Sequence, residues 1–465
     1  MADIIRRHFI QTAAAASAAI AAAPAFGAAP GAGSKLSDID HIIILMKENR
    51  SFDHYFGMLR GVRGFGDPTA RQANGASLFR QKDALHPDGE VLPFRVNTLS
   101  TSGQHYQDLS HAWGPQHVAW NAGGMDMWLP AHRAADGDFG PLTMGYMTRQ
   151  DLPYYYALAE AFTICDGYHC SMFGPTHPNR YHLMTATNDP EGRHGGPALD
   201  NKGKAYTWET YPERLQRAGI SWRVYHDTDD YGCNVLKYFT QFQGLPQTSP
   251  LYDNAIRDRP FETLLADLRR GDIPQVSWIV PPATVSEHPS YLPAAGEDHT
   301  AQILEALWSN PKLWARTALI LNYDENDGQF DHVAPPTPPR GTPGEFIHGL
   351  PVGLGFRVPC LVISPFSRGG YVCGATFDHT STLKLLEARF GVEVANLSDW
   401  RRRTVGDMTS AFGFGAPPDL EIPRLPQTGP ALQAALEEVK TLPKPTVPLV
   451  QSLPTQEPGS RPRRV

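Results

Sequence analysis

Residues 41–57 read HIIILMKENRSFDHYFG, and this stretch decides the fold class. The unbroken apolar run at 42–45 is typical of a short strand buried on both faces of a parallel sheet. Glu48 and Asn49 come just after the run, which is the place where open α/β sheets bind their ligands. The residues that follow can begin a helix. Taken alone, the stretch fits a binding site as well as it fits a salt-bridged turn with a helix cap.

The composition is that of a soluble globular protein with a large core. The chain has 465 residues, of which 41% are apolar and 19% are charged, and its net charge is −7. Its 42 glycines and 42 prolines predict many loops between the regular elements. The acidic balance and the lack of a basic stripe argue against nucleic acid as a main partner.

The N-terminus has the parts of a twin-arginine export signal in the expected order. Arg6 and Arg7 precede an Ala-rich apolar stretch at 12–25, and the Ala-Pro-Ala at 23–25 offers the small residues of a cleavage position. The apolar stretch is too short and too rich in alanine for a membrane span. We therefore predict a signal peptide at residues 1–25 and export of the folded protein by the Tat machinery, to the periplasm or out of the cell.

Short apolar runs alternate with helical patterns along the rest of the chain. The runs at 276–280, 317–322 and 358–364 predict buried strands. The pattern at 154–164 predicts a helix, and residues 297–300 are predicted to cap a helix at 301–310. Such alternation predicts an α/β fold in which a largely parallel sheet is sandwiched by helices.

The composition also divides the chain into parts. Behind the signal peptide, residues 26–412 carry the alternating pattern and form the predicted main domain. From 413 onward proline is frequent and one short helical pattern remains. This predicts a surface arm or a partly disordered tail at 413–465.

Five cysteines stand in the chain, at positions 165, 170, 233, 360 and 373. An exported protein can form disulfides, and Cys165 with Cys170 or Cys360 with Cys373 are near enough in sequence to pair. Their spacing is not that of a structural zinc site. At least one thiol is left over, and the simplest interpretation is a buried apolar residue.

A second candidate site lies in the segment GPTHPNR at 174–180. Its first five residues form a tight loop, after which a helix can begin. A hydroxyl held at such a junction is well placed as a nucleophile, because the N–H groups of the helix start stabilise an oxyanion or a phosphate. The alternative is that Thr176 is an ordinary helix cap.

Polar side chains gather where the predicted strands end and in the loops nearby. Carboxylate and amide oxygens suit a divalent cation, and a hydroxyl beside such a cation becomes a competent nucleophile. Imidazoles can bind phosphate oxygens and protonate a leaving alkoxide. The inventory therefore fits phosphoryl transfer to a protein hydroxyl. Its members are Glu48, Asn49, His111, Thr176, His226, His288, Asp324 and Glu325.

Several segments are similar to those of one known family and occur in its order over roughly residues 38–395. They are HIIILMKENRSFDHYFG, DLSHAW with AWNAGGMD, MFGPTHPNRYHLMT, ISWRVYHD, VSEHPS, LILNYDENDGQFDHVAPP and FDHTSTLKLLEARFG. The chain resembles the bacterial phosphoesterase family of phospholipases C and secreted acid phosphatases, distantly related to alkaline phosphatase. The resemblance implies an alkaline-phosphatase-like core and makes residues 26–412 a phosphoesterase catalytic domain.

The resemblance also implies roles for individual residues. Thr176 is the implied nucleophile, and the implied cofactor is one divalent metal ion, for which calcium, zinc and manganese all stay open. The implied metal ligands are Glu48, Asn49, Thr176, Asp324 and Glu325. The residues implied to surround the phosphate are His111, Asn179, His226 and His288, with a histidine as the acid for the leaving group.

The sequence departs from the family pattern in two places. Asp327-Gly328 stands where family members often carry two glycines, and Gln329 stands where an aromatic residue is common. The extra carboxylate puts the role of Glu325 in more doubt than that of Asp324. The C-terminal β-domains of the larger phospholipases are not matched, so the length resembles that of the shorter secreted members.

The leading prediction is a secreted phospholipase C that releases diacylglycerol from a phospholipid such as phosphatidylcholine through a phosphothreonine. Peripheral contact with a membrane would accompany that activity. The alternative within the same class is a broad acid phosphatase that acts on soluble phosphomonoesters. A rival from another class is an exported binding protein that keeps the metal site without turnover. A sulfatase is disfavoured, because none of the segments quoted above contains a C/S-x-P-x-R sequence.

Overall fold

The computed structural model describes residues 33–464. The predicted signal peptide at 1–25 lies outside the described residues. The main sheet has eight strands in this range. They are β1 (His41–Lys47), β2 (Thr163–Cys165), β3 (Trp222–His226), β4 (Val276–Val280), β5 (Thr317–Tyr323), β6 (Cys360–Ile363), β7 (Val372–Cys373) and β8 (Arg463–Arg464).

The strands follow the order β8-β7-β2-β6-β5-β1-β4-β3 across the sheet. Only β6 runs against its two neighbours, and the other pairs are parallel. The central position of β1 explains its sequence, since Ile42–Met46 are buried on both faces and need apolar side chains throughout. The predicted α/β fold with a largely parallel sheet is confirmed.

Helices cover both faces of this sheet in the described range. They are α1 (Phe52–Phe56), α2 (Trp113–Trp120), α3 (Trp128–Asp136), α4 (Pro153–Ala161), α5 (Thr176–Thr185), α6 (Tyr211–Arg217), α7 (Pro250–Ala255), α8 (Phe261–Arg270), α9 (Pro293–Trp308), α10 (Pro311–Trp314), α11 (His379–Phe390), α12 (Asp399–Thr404) and α13 (Thr428–Thr441). Three two-stranded ribbons lie outside the main sheet. They pair Gln81–Lys82 with Glu90–Val91, Phe94–Arg95 with Gly145–Tyr146, and Phe346–Ile347 with Leu350–Pro351.

Two helix predictions need correction. The pattern at 154–164 was predicted to be one helix, but α4 ends at Ala161 and Thr163–Cys165 forms β2. The apolar residues there are buried in the sheet, which a helical pattern of this length does not distinguish from a strand. Residues 297–300 do not cap a helix, because α9 begins earlier, with Pro293 in its first turn.

The segment after 413 has regular structure of its own in the described range. It carries α13, which packs against α9, and β8, which adds an edge strand beside β7. All five cysteines are free, so neither disulfide considered from the sequence is formed, although Cys165 and Cys373 are register partners in adjacent strands. Within residues 33–464, none of the helices has the length and apolar character that crossing a bilayer requires.

Candidate active site

The ends of β1 and β5 bring the predicted metal ligands together. Glu48 and Asn49 follow β1, and Asp324 follows the neighbouring β5. Asn49 has a φ of +56°, a conformation that asparagine tolerates better than most residues. Its backbone N–H donates to Asp324 Oδ1 at 3.1 Å, and its Nδ2 donates to Asp327 Oδ1 at 3.3 Å. The convergence predicted from strand ends is therefore present.

A buried guanidinium joins the two strand ends. Arg180 Nε donates to Asp324 Oδ2 at 2.9 Å, and Arg180 Nη2 donates to Glu48 Oε1 at 3.2 Å. All three side chains are buried. Burial raises the pKa of Glu48 to about 7, and the Asp324 carboxylate adds to the rise while Arg180 opposes it. The site thus holds closely spaced carboxylates at a point where water is excluded.

Three oxygens at this point have no protein partner. Glu48 Oε2, Asn49 Oδ1 and Glu325 Oε1 are buried and accept no hydrogen bond from residues 33–464. A buried oxygen without a partner costs about 1–3 kcal/mol, so these three oxygens can take a cation or a water molecule as their partner. Burial and the neighbouring Asp324 also raise the pKa of Glu325 well above its usual value. Carboxylate and amide oxygens are the donors that hard divalent cations prefer, so these residues fit a metal ion.

Thr176 is a buried residue at the start of α5. It is the first residue of the helix, Pro175 is the N-cap, and no side chain caps this end. The alternative of an ordinary threonine cap is therefore not what the structure shows. Arg180 lies four residues further along α5, on the same helix face. Since Arg180 contacts Glu48 and Asp324, Thr176 lies on the face of α5 that is turned toward those carboxylates.

The loop before Thr176 is fixed by two amide side chains. Asn179 Oδ1 accepts from Met172 N at 3.0 Å, and Asn179 Nδ2 donates to Gly174 O at 2.9 Å. Gln116 Oε1 accepts from Gly174 N at 2.9 Å, and Gln116 Nε2 donates to Asn326 Oδ1 at 2.8 Å. Asn179 was predicted to bind phosphate, but its buried amide is bonded to the loop backbone instead. The observed contacts make it a residue that positions the nucleophile loop.

His111 lies beside the carboxyl groups of Glu325 and Asp327 and is partly exposed. Its Nδ1 is 2.8 Å from Leu109 O, and its Nε2 is 3.7 Å from Glu325 Oε1. Asp108, His111 and Asp327 each offer one ligand atom within 4.8 Å of the others, so acidic and imidazole groups that can hold a metal ion meet here. Burial and the carboxylates of Asp108 and Glu325 raise the pKa of Asp327 well above its usual value. Asp327, which stands where family members often carry a glycine, therefore adds a carboxyl group that accepts hydrogen bonds from Asn49 and Leu109.

His288 lies beside Asp108, as His111 does. The backbone N–H of Glu48 donates to Ser286 O at 2.9 Å, which fixes the loop that carries His288. The Nε2 atom of His288 is 3.9 Å from Asp108 Oδ1. Burial lowers the pKa of His288 to about 4, which Asp108 opposes and His111 reinforces. Its imidazole is therefore neutral at neutral pH and able to accept a proton.

The contacts of His226 are with acidic residues around the end of its own strand. His226 ends β3, which is separated from β1 by β4 in the sheet. Its Nδ1 is 3.1 Å from Asp227 O and 3.8 Å from both Asp230 Oδ2 and Asp258 Oδ1. Its buried Nε2 has no hydrogen-bond partner in the described part of the chain. None of these contacts joins His226 to Thr176 or Glu48, so its predicted place at the phosphate stays a prediction.

A second group of potential metal ligands is already neutralised by the protein. The ligand atoms of Asp53, Asp331 and His332 lie close together and are buried. Arg357 Nη2 donates to Asp53 Oδ1 and to Asp331 Oδ2, both at 3.0 Å. His332 Nδ1 is 2.6 Å from Asp53 Oδ2. The group is therefore a buried ion-pair network that ties the loop after β5 to α1.

Several residues of the site were missed in the sequence. Arg180 could have been found, because it lies one helical turn after Thr176. Asp327 was noted only as a departure, and Asp108 only as part of a motif. Cys233 gave no signal, yet its thiol donates to Glu48 Oε1 from a loop after β3. Its contact depends on the approach of a distant loop, which local sequence does not encode.

Comparison with known proteins identifies the class to which this fold and site belong. The family model described as the Phosphoesterase family matches residues 39–393. The chain belongs to this family, and the membership predicted from its segments is confirmed.

Named relatives narrow the comparison. The non-hemolytic phospholipase C of Pseudomonas aeruginosa is 46% identical over 459 residues, which cover 92% of this chain and 65% of that protein. The chain thus spans just under two thirds of that relative's length. Phospholipase C B of Mycobacterium tuberculosis is 45% identical in an alignment that covers 97% of this chain and 96% of that protein. A crystal structure of an alkaline phosphatase superfamily protein from Vibrio parahaemolyticus has a TM-score of 0.33 at 12% identity, over 77% of this chain and 90% of that one. A likeness this distant carries no conclusion.

Proposed function

We propose that the protein is a phospholipase C that hydrolyses a phospholipid such as phosphatidylcholine to diacylglycerol and a phosphorylated head group. The observation that carries the proposal is the position of Thr176 at the start of α5, one turn before the Arg180 that contacts Glu48 and Asp324. Relatives at 44–46% identity are named phospholipase C, which supports the same reaction class.

One divalent metal ion is part of this proposal. Glu48, Asn49, Asp324 and Glu325 would hold it beside the Thr176 hydroxyl. When bound, the ion supplies a positive charge that lowers the pKa of a neighbouring hydroxyl and stabilises negative charge on phosphate oxygens. The support is the three unpartnered buried oxygens, which belong to Glu48, Asn49 and Glu325.

The reaction has two in-line displacements at phosphorus. In the first, Thr176 Oγ1 bonds to phosphorus, the bond from phosphorus to the glycerol oxygen breaks, and that oxygen takes up a proton as diacylglycerol leaves. In the second, a water oxygen bonds to phosphorus, the bond to Thr176 Oγ1 breaks, and the threonine regains its proton. Two displacements return the enzyme to its starting state.

We assign the proton transfers of this scheme to the imidazoles of His288 and His111. A neutral imidazole is in the protonation state that can accept a proton, so His288 is assigned the proton that Thr176 loses in the first step and the proton that water loses in the second. His111 lies on the Asp108 and Asp327 side and is assigned the donation of a proton to the leaving oxygen.

The decisive experiment is mass spectrometry of protein mixed with substrate and quenched in acid. We expect a phosphate on Thr176 in the wild type and none in Thr176→Ala. The Thr176→Ala variant should lose activity by roughly a thousandfold or more, since it lacks the nucleophile. Thr248→Ala, a change at an exposed threonine, serves as the control and should behave as the wild type. A phosphate on another residue would overturn the assigned nucleophile.

Substrate assays separate the remaining alternatives. The purified protein is offered phosphatidylcholine and, in parallel, a nitrophenyl phosphate monoester. We expect faster turnover of the lipid, and equal or faster turnover of the monoester would identify an acid phosphatase instead. Tight phosphate binding without turnover, unchanged in Thr176→Ala, would identify a binding protein.

We also propose export through the Tat pathway to the periplasm or beyond. Arg6 and Arg7 and the Ala-Pro-Ala at 23–25 support this proposal. The mature protein should begin near Phe26, which N-terminal sequencing of the exported form would show. Retention of residues 1–25 in that form would contradict it.

A further inference from the structure

The most exposed large apolar side chains of residues 33–464 lie near one another. Leu449 is 91% exposed, Val450 is 89% exposed and Leu85 is 73% exposed. Single exposed apolar residues are common on soluble proteins, but a group of them marks a surface for contact. Phe139, which is 47% exposed, belongs to the same region. We call these four residues the apolar rim.

The apolar rim lies at a cavity of about 530 Å³. Phe139 and Leu449 line the cavity directly, and Leu85 and Val450 are chain neighbours of the lining residues His86 and Leu449. Four segments of the sequence form its walls, and most of the lining surface is apolar. A cavity of this size and character suits a hydrocarbon chain.

The wall of the cavity is joined to the catalytic site through the chain. Gln107 contributes to the wall, and the next residue is Asp108. Asp108 Oδ1 is 3.9 Å from His111 Nδ1 and 3.9 Å from His288 Nε2, the two imidazoles of the site. This adjacency is the basis for placing the apolar tail of a substrate in the cavity.

The segment that displays Leu449 and Val450 is held in place. Gln451 Oε1 accepts from Leu92 N at 2.9 Å, and Gln451 Nε2 donates to Glu90 O at 3.1 Å. These bonds fasten the chain to a two-stranded ribbon directly after the exposed pair. The fold therefore holds Leu449 and Val450 in an exposed position. Contact between their side chains and water is unfavourable, and burial against an apolar partner removes this unfavourable free energy.

The charges at the cavity complement a zwitterionic lipid. Lys444 and Asp138 both line the cavity and are exposed, so a cation and an anion stand at the same mouth. A phosphatidylcholine head group carries one phosphate and one quaternary ammonium. Lys444 suits the phosphate of a neighbouring lipid, and Asp138 suits its ammonium.

We propose that the apolar rim is the surface through which the protein contacts a phospholipid layer, and that the cavity receives an acyl chain of the substrate lipid. This inference rests on the proposed phospholipase activity and adds to it the place of entry. It assigns a role to the part of the 413–465 segment that carries Leu449 and Val450.

The test compares binding to lipid with turnover of a water-soluble substrate. The variant Leu85→Ser/Leu449→Ser/Val450→Ser removes the three most exposed side chains, none of which contacts the catalytic residues. Leu420→Ser/Ile422→Ser is the matched control, since these residues are also exposed and apolar but do not line the cavity. Sedimentation with phosphatidylcholine vesicles measures binding, and nitrophenyl phosphorylcholine measures catalysis free of an interface.

We expect the triple variant to bind vesicles roughly 10- to 100-fold more weakly, because each apolar group lost from a membrane interface weakens partitioning. Its turnover of soluble nitrophenyl phosphorylcholine should match that of the wild type and of the control. Unchanged vesicle binding, an equal loss in the control, or a wild-type dimer that the triple variant loses would overturn the inference. Failure of the wild type to hydrolyse either substrate would instead overturn the proposed function, while sedimentation would still test the apolar rim.

Discussion

Replacement of Arg180 by glutamine tests the electrostatic core of the site. The guanidinium is buried and is the cation that contacts both Glu48 and Asp324 in the described structure. Glutamine keeps part of the side-chain volume but removes the charge and cannot reach both carboxylates. In the absence of a metal ion, two buried carboxylates are then left without a counter-charge.

The expected loss follows from the two distances. With an effective dielectric constant of about 20, ion pairs at 2.9 and 3.2 Å are each worth about 5 kcal/mol of Coulomb attraction. Desolvation cancels much of that attraction, and removal of one partner from a buried pair costs about 3–5 kcal/mol in proteins. Glu48 can take up a proton because burial holds its pKa near 7, which relieves part of the cost. We therefore expect Arg180→Gln to lower the free energy of unfolding by about 3 kcal/mol.

Urea unfolding in the presence of a chelator measures this loss. Arg180→Lys keeps the charge but not the two-point geometry, so it should fall between the wild type and Arg180→Gln. Arg193→Gln is the control, because Arg193 pairs with Glu191 at the surface and such pairs are worth at most about 1 kcal/mol. A loss in Arg180→Gln no greater than that of Arg193→Gln would refute the claim that Arg180 neutralises the site.

Two further predictions concern groups that support the site. Burial raises the pKa of Glu297 from 4.5 to about 8, so its contribution to stability is complete below pH 4.5 and is lost as the pH rises to about 8. Glu297→Gln should flatten this part of the pH dependence of urea unfolding, and an unchanged slope would contradict it. Gln116→Leu leaves Gly174 N and Asn326 Oδ1 unpaired, so it should destabilise the protein by about 2 kcal/mol and lower kcat more than it raises KM. Gln116→Glu keeps the acceptor for Gly174 N, so its kcat should exceed that of Gln116→Leu. A kcat no higher than that of Gln116→Leu in steady-state kinetics would contradict the role of Gln116 in fixing the loop.

The parts of the fold that were predictable are those set by local pattern. The apolar run at 42–45 needs no partner information to indicate a buried strand, and the structure places it at the centre of the sheet. The strand at Thr163–Cys165 was missed because three buried residues after a helix carry no period of their own. The reversal of β6 was not predictable either, since direction depends on how a long loop returns to the sheet.

The same distinction applies to the site. Glu48, Asn49 and Asp324 were found because they follow strands, and parallel strands gather such residues at one edge. The family resemblance alone implied a place for Asn179 at the phosphate, and in the structure its amide bonds to the loop backbone. Which atoms a buried amide contacts depends on tertiary packing, so the sequence located the residue without giving its partner.

The balance of charge at the site leads to one more consequence. Glu48, Asp324, Glu325 and Asp327 are all buried, while Arg180 contacts only the first two. Burial raises the pKa of Glu48, Glu325 and Asp327, so the protein without a metal ion holds protons that exposed carboxylates would have lost. A divalent cation bound by the oxygens of Glu48 and Glu325 must displace those protons, because a protonated carboxyl group is a poor ligand. Metal affinity should therefore rise with pH over the range in which Glu48 titrates, and the buried carboxyl groups couple metal binding to proton release.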